Sequence, residues 1–346
     1  MAQDSRAVIE KRRIEKRRPH YDELLSEGLS AFFEEERGDC PFCRCDRLRT
    51  LLRTPDRFQG KPGLFRLDEC GGCGLVFQNP RLSGKGLDYY YGDFYDGLGR
   101  RGKARQARRV EGLIEPRRWL DVGGGNGSFC AAAAAVWPDT RFEVLDSSDL
   151  APDAVAQGRV AQAHGGPLTE TVQDMEGRFD VITMHHYLEH TTEPEAEIAA
   201  ARRALAPGGI LVIEVPDPES KFGRLMKSYW WQWLQPQHLH LFPASAMTEM
   251  LGRNGFRPVR VERAAAHIPV DFLSTTALVG LRLMPGQVAP WTAASGRWRD
   301  AVRAGMFVAF LPLLALAFLA DLAWAPLARR GRRLTNVYAV IARRED

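Results

Sequence analysis

A chain of 346 residues, 45% hydrophobic and 26% charged, has the composition of an ordinary globular protein and enough length for one large or two modest domains. A formal charge of +4 does not call for a nucleic-acid partner unless the basic residues cluster. They cluster at two places, Lys11 to Arg18 and Arg329 to Arg333, which leaves phosphate-rich partners open, nucleic acid among them. The N-terminus is charged where a signal peptide needs an apolar core, so the expected compartment is the cytoplasm.

Residues 1–37 read as a charged helical lead-in, with Leu24, Leu25, Leu29, Phe32 and Phe33 as an irregular apolar stripe. Residues 38–80 carry Cys40-Pro41-Phe42-Cys43 and Cys70-Gly71-Gly72-Cys73. In a reducing compartment two such pairs read as metal ligands before disulfides. Four thiolates at tetrahedral corners suit zinc, with no position left open to water, so a structural ribbon ligated by Cys40, Cys43, Cys70 and Cys73 is expected. Cys45 lies outside the pairs.

From residue 81 to 263 strand and helix patterns alternate, which predicts an α/β fold, a doubly wound Rossmann-like sheet with ligands at the carboxyl ends of its strands. Strands are expected at 118–122, 141–146, 168–172, 179–184, 209–215 and 256–262, and helices at 127–137, 152–164, 193–205 and 245–254. The organising stretch runs from Trp119 to Phe129. An apolar strand enters the turn Asp121-Val122-Gly123-Gly124-Gly125-Asn126-Gly127 and a helix follows, so a cofactor can lie against bare backbone. A dinucleotide fingerprint needs a small residue where Ser128 stands, and the run here is D-x-G-x-G-x-G. Asp146 closes the next strand, at the distance where a carboxylate grips ribose hydroxyls.

At these residues the chain resembles the class I S-adenosylmethionine-dependent methyltransferases. Phe179 to His190 looks like that family's fourth strand and following loop, and Leu205-Ala206-Pro207-Gly208-Gly209 with Ile210 to Pro216 looks like its L-x-P-G-G turn and fifth strand. The resemblance covers roughly residues 80–263 plus a last strand. It implies S-adenosyl-L-methionine as cofactor, held at Asp121, Gly123, Gly125, Gly127 and Asp146, with His185 near the sulfonium. It also implies a tyrosine-bearing helix over the methionine end, for which Tyr90, Tyr91 and Tyr95 are candidates and Tyr91 the chosen one. For the adenine, Glu170 and Asp174 both stand. Methyltransferases acting on sugars or cell-surface glycans carry a similar ribbon, so the resemblance implies a small-molecule, glycan or lipid-linked saccharide acceptor.

Residues 264–333 form an insertion far longer than an ordinary loop, ahead of a final edge strand at 334–346. Met306 to Ala320 is apolar throughout. Pro312, Asp321 and the return to the sheet disfavour a spanning helix. A helix pair on a membrane surface through 306–333, peripheral to the inner face of the cell membrane, fits better, with a buried or dimer-forming helix as the alternative. The oligomeric state is not legible.

Methyl transfer from a sulfonium is an in-line displacement, to which the protein adds alignment and a base or a metal at the acceptor. Two histidine clusters are candidates: His185 to His190, and His238-Leu239-His240, whose imidazoles share a face if extended. His190, His238 and His240 are the expected catalytic residues. Ubiquinone-pathway and small-RNA O-methyltransferases similar in this loop carry E-x-x-E-H as metal ligands; here His186 replaces the first acid, while Glu189 and His190 match. That swap argues against a magnesium-like ion and is tolerable to zinc or manganese. A binding protein with a relic cofactor fold is the non-enzymatic alternative.

Overall fold

The computed structural model describes residues 2–92, 94, 104–148, 150–263, 270–286, 289–292, 297–328 and 333–346. Its strands in chain order are β1 (Leu48–Thr54), β2 (Phe65–Cys70), β3 (Val76–Gln78), β4 (Arg118–Val122), β5 (Arg141–Leu145), β6 (Gln162–His164), β7 (Phe179–His185), β8 (Leu205–Pro216), β9 (His240–Leu241), β10 (Phe256–Glu262) and β11 (Val337–Arg344).

Seven of them form one sheet in the order β10-β11-β8-β7-β4-β5-β6. β4 pairs in parallel with both β5 and β7, and β11 runs antiparallel between β8 and β10, so the last strand is not the expected edge strand but an interior one, with β10 outside it. The chain leaves β4 first toward β5 and later returns to its other side as β7, so a crevice opens beyond the carboxyl ends of β4 and β7. Helices cover both faces, which is why the central strands read as nearly unbroken apolar runs. Along β8, Leu211, Ile213 and Val215 enter one core layer while Ile210 and Val212 enter the other.

The second sheet, β1-β2-β3-β9, is the ribbon. It does not stand apart: Cys40, Cys70, Leu75 and Phe77 share a core layer with Leu211, Ile213 and Tyr338. The lead-in is the helix Ala2–Leu25, whose Tyr21 packs edge-on against Tyr89 and Trp291.

One expected strand is corrected. Residues 168–171 are helical (Leu168–Thr171), and the strand is β6, inside the stretch expected to be helix 152–164. Gly158, at φ 67°, ends the helix Leu150–Ala156 early, and Gly165-Gly166-Pro167 then stops the strand and starts the next helix. Among the described residues the insertion contains two helices, Asp271–Leu283 and Arg297–Ala328, before β11; residues 306–328 form one continuous helix, with Pro312 and Asp321 inside it, in place of the expected pair.

Candidate active site

A cleft of about 770 Å³ lies at the carboxyl ends of the central strands. Its floor is the glycine turn. Gly123 adopts φ 72°, and a Cβ there would sit 2.7 Å from the Tyr187 ring, so bare backbone is required on that wall. The Gly125 N–H donates to Asp146 Oδ2 at 2.7 Å, and Ser148 donates to Oδ1 through both its N–H (2.8 Å) and its hydroxyl (2.5 Å). The Asp146 carboxylate is thereby fixed at the cleft wall. Asp121 lies beneath the turn, buried, with Oδ1 accepting from Thr183 Oγ1 at 2.7 Å.

The far wall presents His186 and His190, with His238 and Glu189 buried outside the cleft lining. His186 follows β7 at φ 52°, a left-handed conformation costing a non-glycine residue roughly 1–2 kcal/mol. Its Nδ1 meets Glu189 Oε1 at 3.0 Å, and its Nε2 lies 3.7 Å from Glu214 Oε1. His190 Nδ1 lies 2.9 Å from the Tyr91 hydroxyl, which donates to the Gln237 carbonyl at 2.9 Å. His238 packs on His190, ring centroids 4.7 Å apart. Its Nδ1 is 2.7 Å from the Gln232 carbonyl, a group that can only accept, so Nδ1 carries the proton and the neutral ring turns an Nε2 lone pair toward Glu189 Oε1, 4.0 Å away. Burial pushes His238 down to about 3, so it stays neutral. Burial acts to raise Glu189, but the His186 hydrogen bond and the nearby imidazoles hold it at about 2. Its Oε2 is buried without a hydrogen-bond partner. Glu189, His190 and His238 each present a ligand atom within 4.8 Å of the others.

Residues 95–261 match the family described as a methyltransferase domain. These residues form a class I S-adenosylmethionine-dependent methyltransferase domain. Among its relatives, the ubiquinone biosynthesis O-methyltransferase of Bordetella avium is 27% identical over 110 residues, which is 30% of this chain and 44% of that protein. The enzyme of the same description from Xanthomonas oryzae pv. oryzae is 34% identical over 107 residues, 28% of this chain and 41% of that protein. The chain thus spans less than half the length of these curated relatives. A solved S-adenosylmethionine-dependent methyltransferase from Archaeoglobus fulgidus superposes with a TM-score of 0.46 at 17% identity, over 74% of this chain and 100% of that one.

Gly123, Gly125, Asp146 and His190 of this domain line the cleft together with Tyr91, which precedes it. Asp121 shapes the turn from below, and Gly127, at φ 69°, lets the following helix approach Ala154 and Val160. His185 sits behind the turn, with Nδ1 3.5 Å from Asp121 Oδ1 and its ring against Phe129. His240 is not brought to the cleft. It is buried in β9, paired with Phe77 of the ribbon sheet, and both ring nitrogens lack a hydrogen-bond partner. The imidazoles of His238 and His240 go separate ways because the second joins a β-ladder instead of continuing the loop. Tyr90 is core, its hydroxyl donating to the Pro62 carbonyl, and Tyr95 lies outside the described residues. Of the two adenine candidates, Glu170 lines the cleft and Asp174 does not.

Glu197, which accepts from the Tyr187 hydroxyl at 3.1 Å, was not legible, nor was Glu214, fully buried and paired with Arg109. A carboxylate inside the apolar run of β8 was the available signal for Glu214.

In the ribbon, Cys40 and Cys73 sulfurs lie 3.7 Å apart and Cys43 and Cys70 sulfurs 3.5 Å apart. A tetrahedron with metal–sulfur bonds of about 2.3 Å has edges of roughly 3.8 Å, so the four thiols fit zinc.

Proposed function

We propose that the chain methylates a hydroxyl oxygen with S-adenosylmethionine, and that Glu189, His190 and His238 hold a divalent cation beside the acceptor. The observation behind the cation is the facing of two acceptors, His238 Nε2 and Glu189 Oε1, inside a buried cluster. A metal ion held there would satisfy both of these atoms, and Glu189, His190 and His238 stand close enough to share one. One carboxylate and two imidazoles suit zinc or manganese better than magnesium.

The cofactor, when bound, supplies an electrophilic methyl group and its own leaving group. The exposed backbone of Gly123 and Gly125 receives its amino-acid end, and Asp146 accepts from its ribose hydroxyls. His186 takes the acceptor's proton at Nε2, where Glu214 stabilises the resulting imidazolium, while Nδ1 stays on Glu189. Of the acceptors considered, a quinone-type phenol is favoured over a glycan or lipid-linked saccharide. A cation held there would help an aromatic hydroxyl ionise, and the similarity to ubiquinone biosynthesis O-methyltransferases supports oxygen as the methylated atom.

The test is metal content and label transfer from isotopic S-adenosylmethionine to a catechol and to a saccharide acceptor. Glu189→Gln and His238→Ala are expected to drop from two metal equivalents to one and to lose turnover roughly 100-fold or more, with cofactor affinity within about twofold. Full turnover in both variants overturns the cation. Transfer to the saccharide alone overturns the phenol.

A further inference from the structure

The helix Arg297–Ala328 is tied lengthwise to the rest of the molecule. Arg303 Nη1 donates to the Pro285 carbonyl at 2.5 Å, and Phe310 packs so closely on Gly280 that a Cβ there would lie 2.6 Å from its ring. Asp321, fully buried, accepts from the Phe272 and Leu273 N–H groups at 3.1 and 2.8 Å and so caps the neighbouring helix Asp271–Leu283. Trp324 packs against Phe222 and Phe272. By length and composition Trp298–Pro326, whose most apolar 18-residue window has mean hydropathy 2.3, passes for a spanning helix. Attachment from residue 303 to residue 324 forbids that orientation, because the domain would have to enter the bilayer with it.

The side of this helix turned away from the domain is apolar and, among the described residues, uncovered. Phe307, Val308, Leu311, Leu313, Leu316 and Leu319 are all exposed, Leu316 by 63%. At about 100° per residue, these positions spread over roughly 240° of the helix circumference. A helix docking on a second copy or another protein buries a stripe roughly 100° wide. An arc more than twice as wide suits a fluid apolar medium.

Beside the same hairpin, a second cavity of about 420 Å³ lies between the ribbon loop Pro55 to Gly60 and the helices, and three arginines line it. Arg57 lies over the Tyr229 ring at 3.9 Å and donates from Nε to the Ser228 carbonyl. Arg282 donates to the Tyr229 hydroxyl, and Arg303 is the residue bound to Pro285. Among the described residues none of the three has a carboxylate partner. The one lining carboxylate, Asp56, is buried and accepts from the Phe58, Gln59 and Lys61 N–H groups. Burial and the neighbouring Arg282 both make the charge on Arg57 less favourable. Three arginines lining one cavity, with no carboxylate partner among the described residues, suit a phosphate oxygen cluster. Trp298, 69% exposed, stands on the same helix one to two turns before Arg303, as interfacial tryptophans do.

We propose that this face is a membrane-docking surface: the helix lies lengthwise in one leaflet of an anionic bilayer, and the phosphate of one lipid seats among Arg57, Arg282 and Arg303. This stands independently of the methylated acceptor, and its test reads binding alone.

Flotation of the full chain with vesicles of phosphatidylcholine, or of equimolar phosphatidylcholine and phosphatidylglycerol, decides it. The wild type is expected to float with the anionic vesicles. Arg57→Gln combined with Arg282→Gln should bind them about twenty-five-fold more weakly, two charges at about fivefold each, and should match the wild type on phosphatidylcholine. Leu316→Glu with Leu319→Glu should abolish flotation. Leu316→Ser with Leu319→Ser, checked by circular dichroism, replaces that pair if it fails to fold. Wild type that does not float overturns the proposal, whether it is a detergent-sensitive dimer or is raised in melting temperature by inorganic phosphate alone. Arginine variants that float like wild type overturn the headgroup site. Resistance of bound protein to alkaline carbonate overturns the lengthwise seating.

Discussion

Replacing Gly123 with alanine separates two costs that usually arrive together. At φ 72° an alanine pays a left-handed penalty of about 1–2 kcal/mol. Its Cβ would also stand 2.7 Å from Cδ2 of Tyr187, over an ångström inside comfortable contact, and relieving that overlap costs a further 1–3 kcal/mol or so. Gly112 supplies the control, since it has φ 73° and nothing within 4 Å of the same virtual Cβ. Gly112→Ala should therefore lose only about 1–2 kcal/mol in urea unfolding, and Gly123→Ala about 2–5 kcal/mol. Tyr187 lines the cleft and is anchored on Glu197, so displacing its ring moves a wall of the cleft proposed to receive the cofactor. Calorimetric titration with S-adenosylmethionine should show Kd raised at least tenfold in Gly123→Ala, about 1.4 kcal/mol, and unchanged in Gly112→Ala. If the two variants match in both stability and affinity, the turn is not packed against Tyr187 as described, and the reasoning fails.

Two further outcomes follow from the ion pairs and the ribbon. Burial would raise Glu143, but the His164 hydrogen bond and the Arg118 and Arg178 guanidiniums hold it down at about 2. A depressed carboxylate stabilises the fold fully above its unfolded value of 4.5 and loses that contribution as pH falls toward 2. Glu143→Gln should thus cost about 2 kcal/mol at neutral pH, after allowing for its partly exposed partners, and should flatten acid unfolding between those limits; an unchanged acid limb would contradict the pairing. Cys43→Ser should release one zinc equivalent by mass spectrometry and lower the melting temperature, because the ribbon's Cys40 and Cys70 sit in the main core layer. Metal loss with an unshifted melting temperature would show that the site is not structural.

Most of the large sheet was readable because its strands are buried on both faces and long enough for apolar runs to stand out. β10 falls at 256–262 as expected, and β4, β5, β7 and β8 lie within a few residues. β6 was missed because three residues carry almost no period, and its identity rests on pairing with Glu143 to Leu145, twenty residues back. The cleft's glycine turn and Asp146 were legible from local chemistry. His240 was not, since its place is set by Phe77, 163 positions earlier, and no local pattern announces that ladder. Nor does spacing reveal that the carbonyls of Gln232 and Gln237 orient the imidazoles beside Glu189.

The pairing of Val76 and Phe77 with Leu241 and His240 also constrains how the molecule comes into being. A nascent chain emerging from the ribosome can gather its four cysteines early, but the β3 edge stays open until some 160 further residues have been made, a long loop to close. A fragment ending before residue 240 would present that unpaired edge to its neighbours and be prone to self-association. Ribbon and catalytic half are therefore not separable parts, and exchanging one between relatives without the other would break the seam they share.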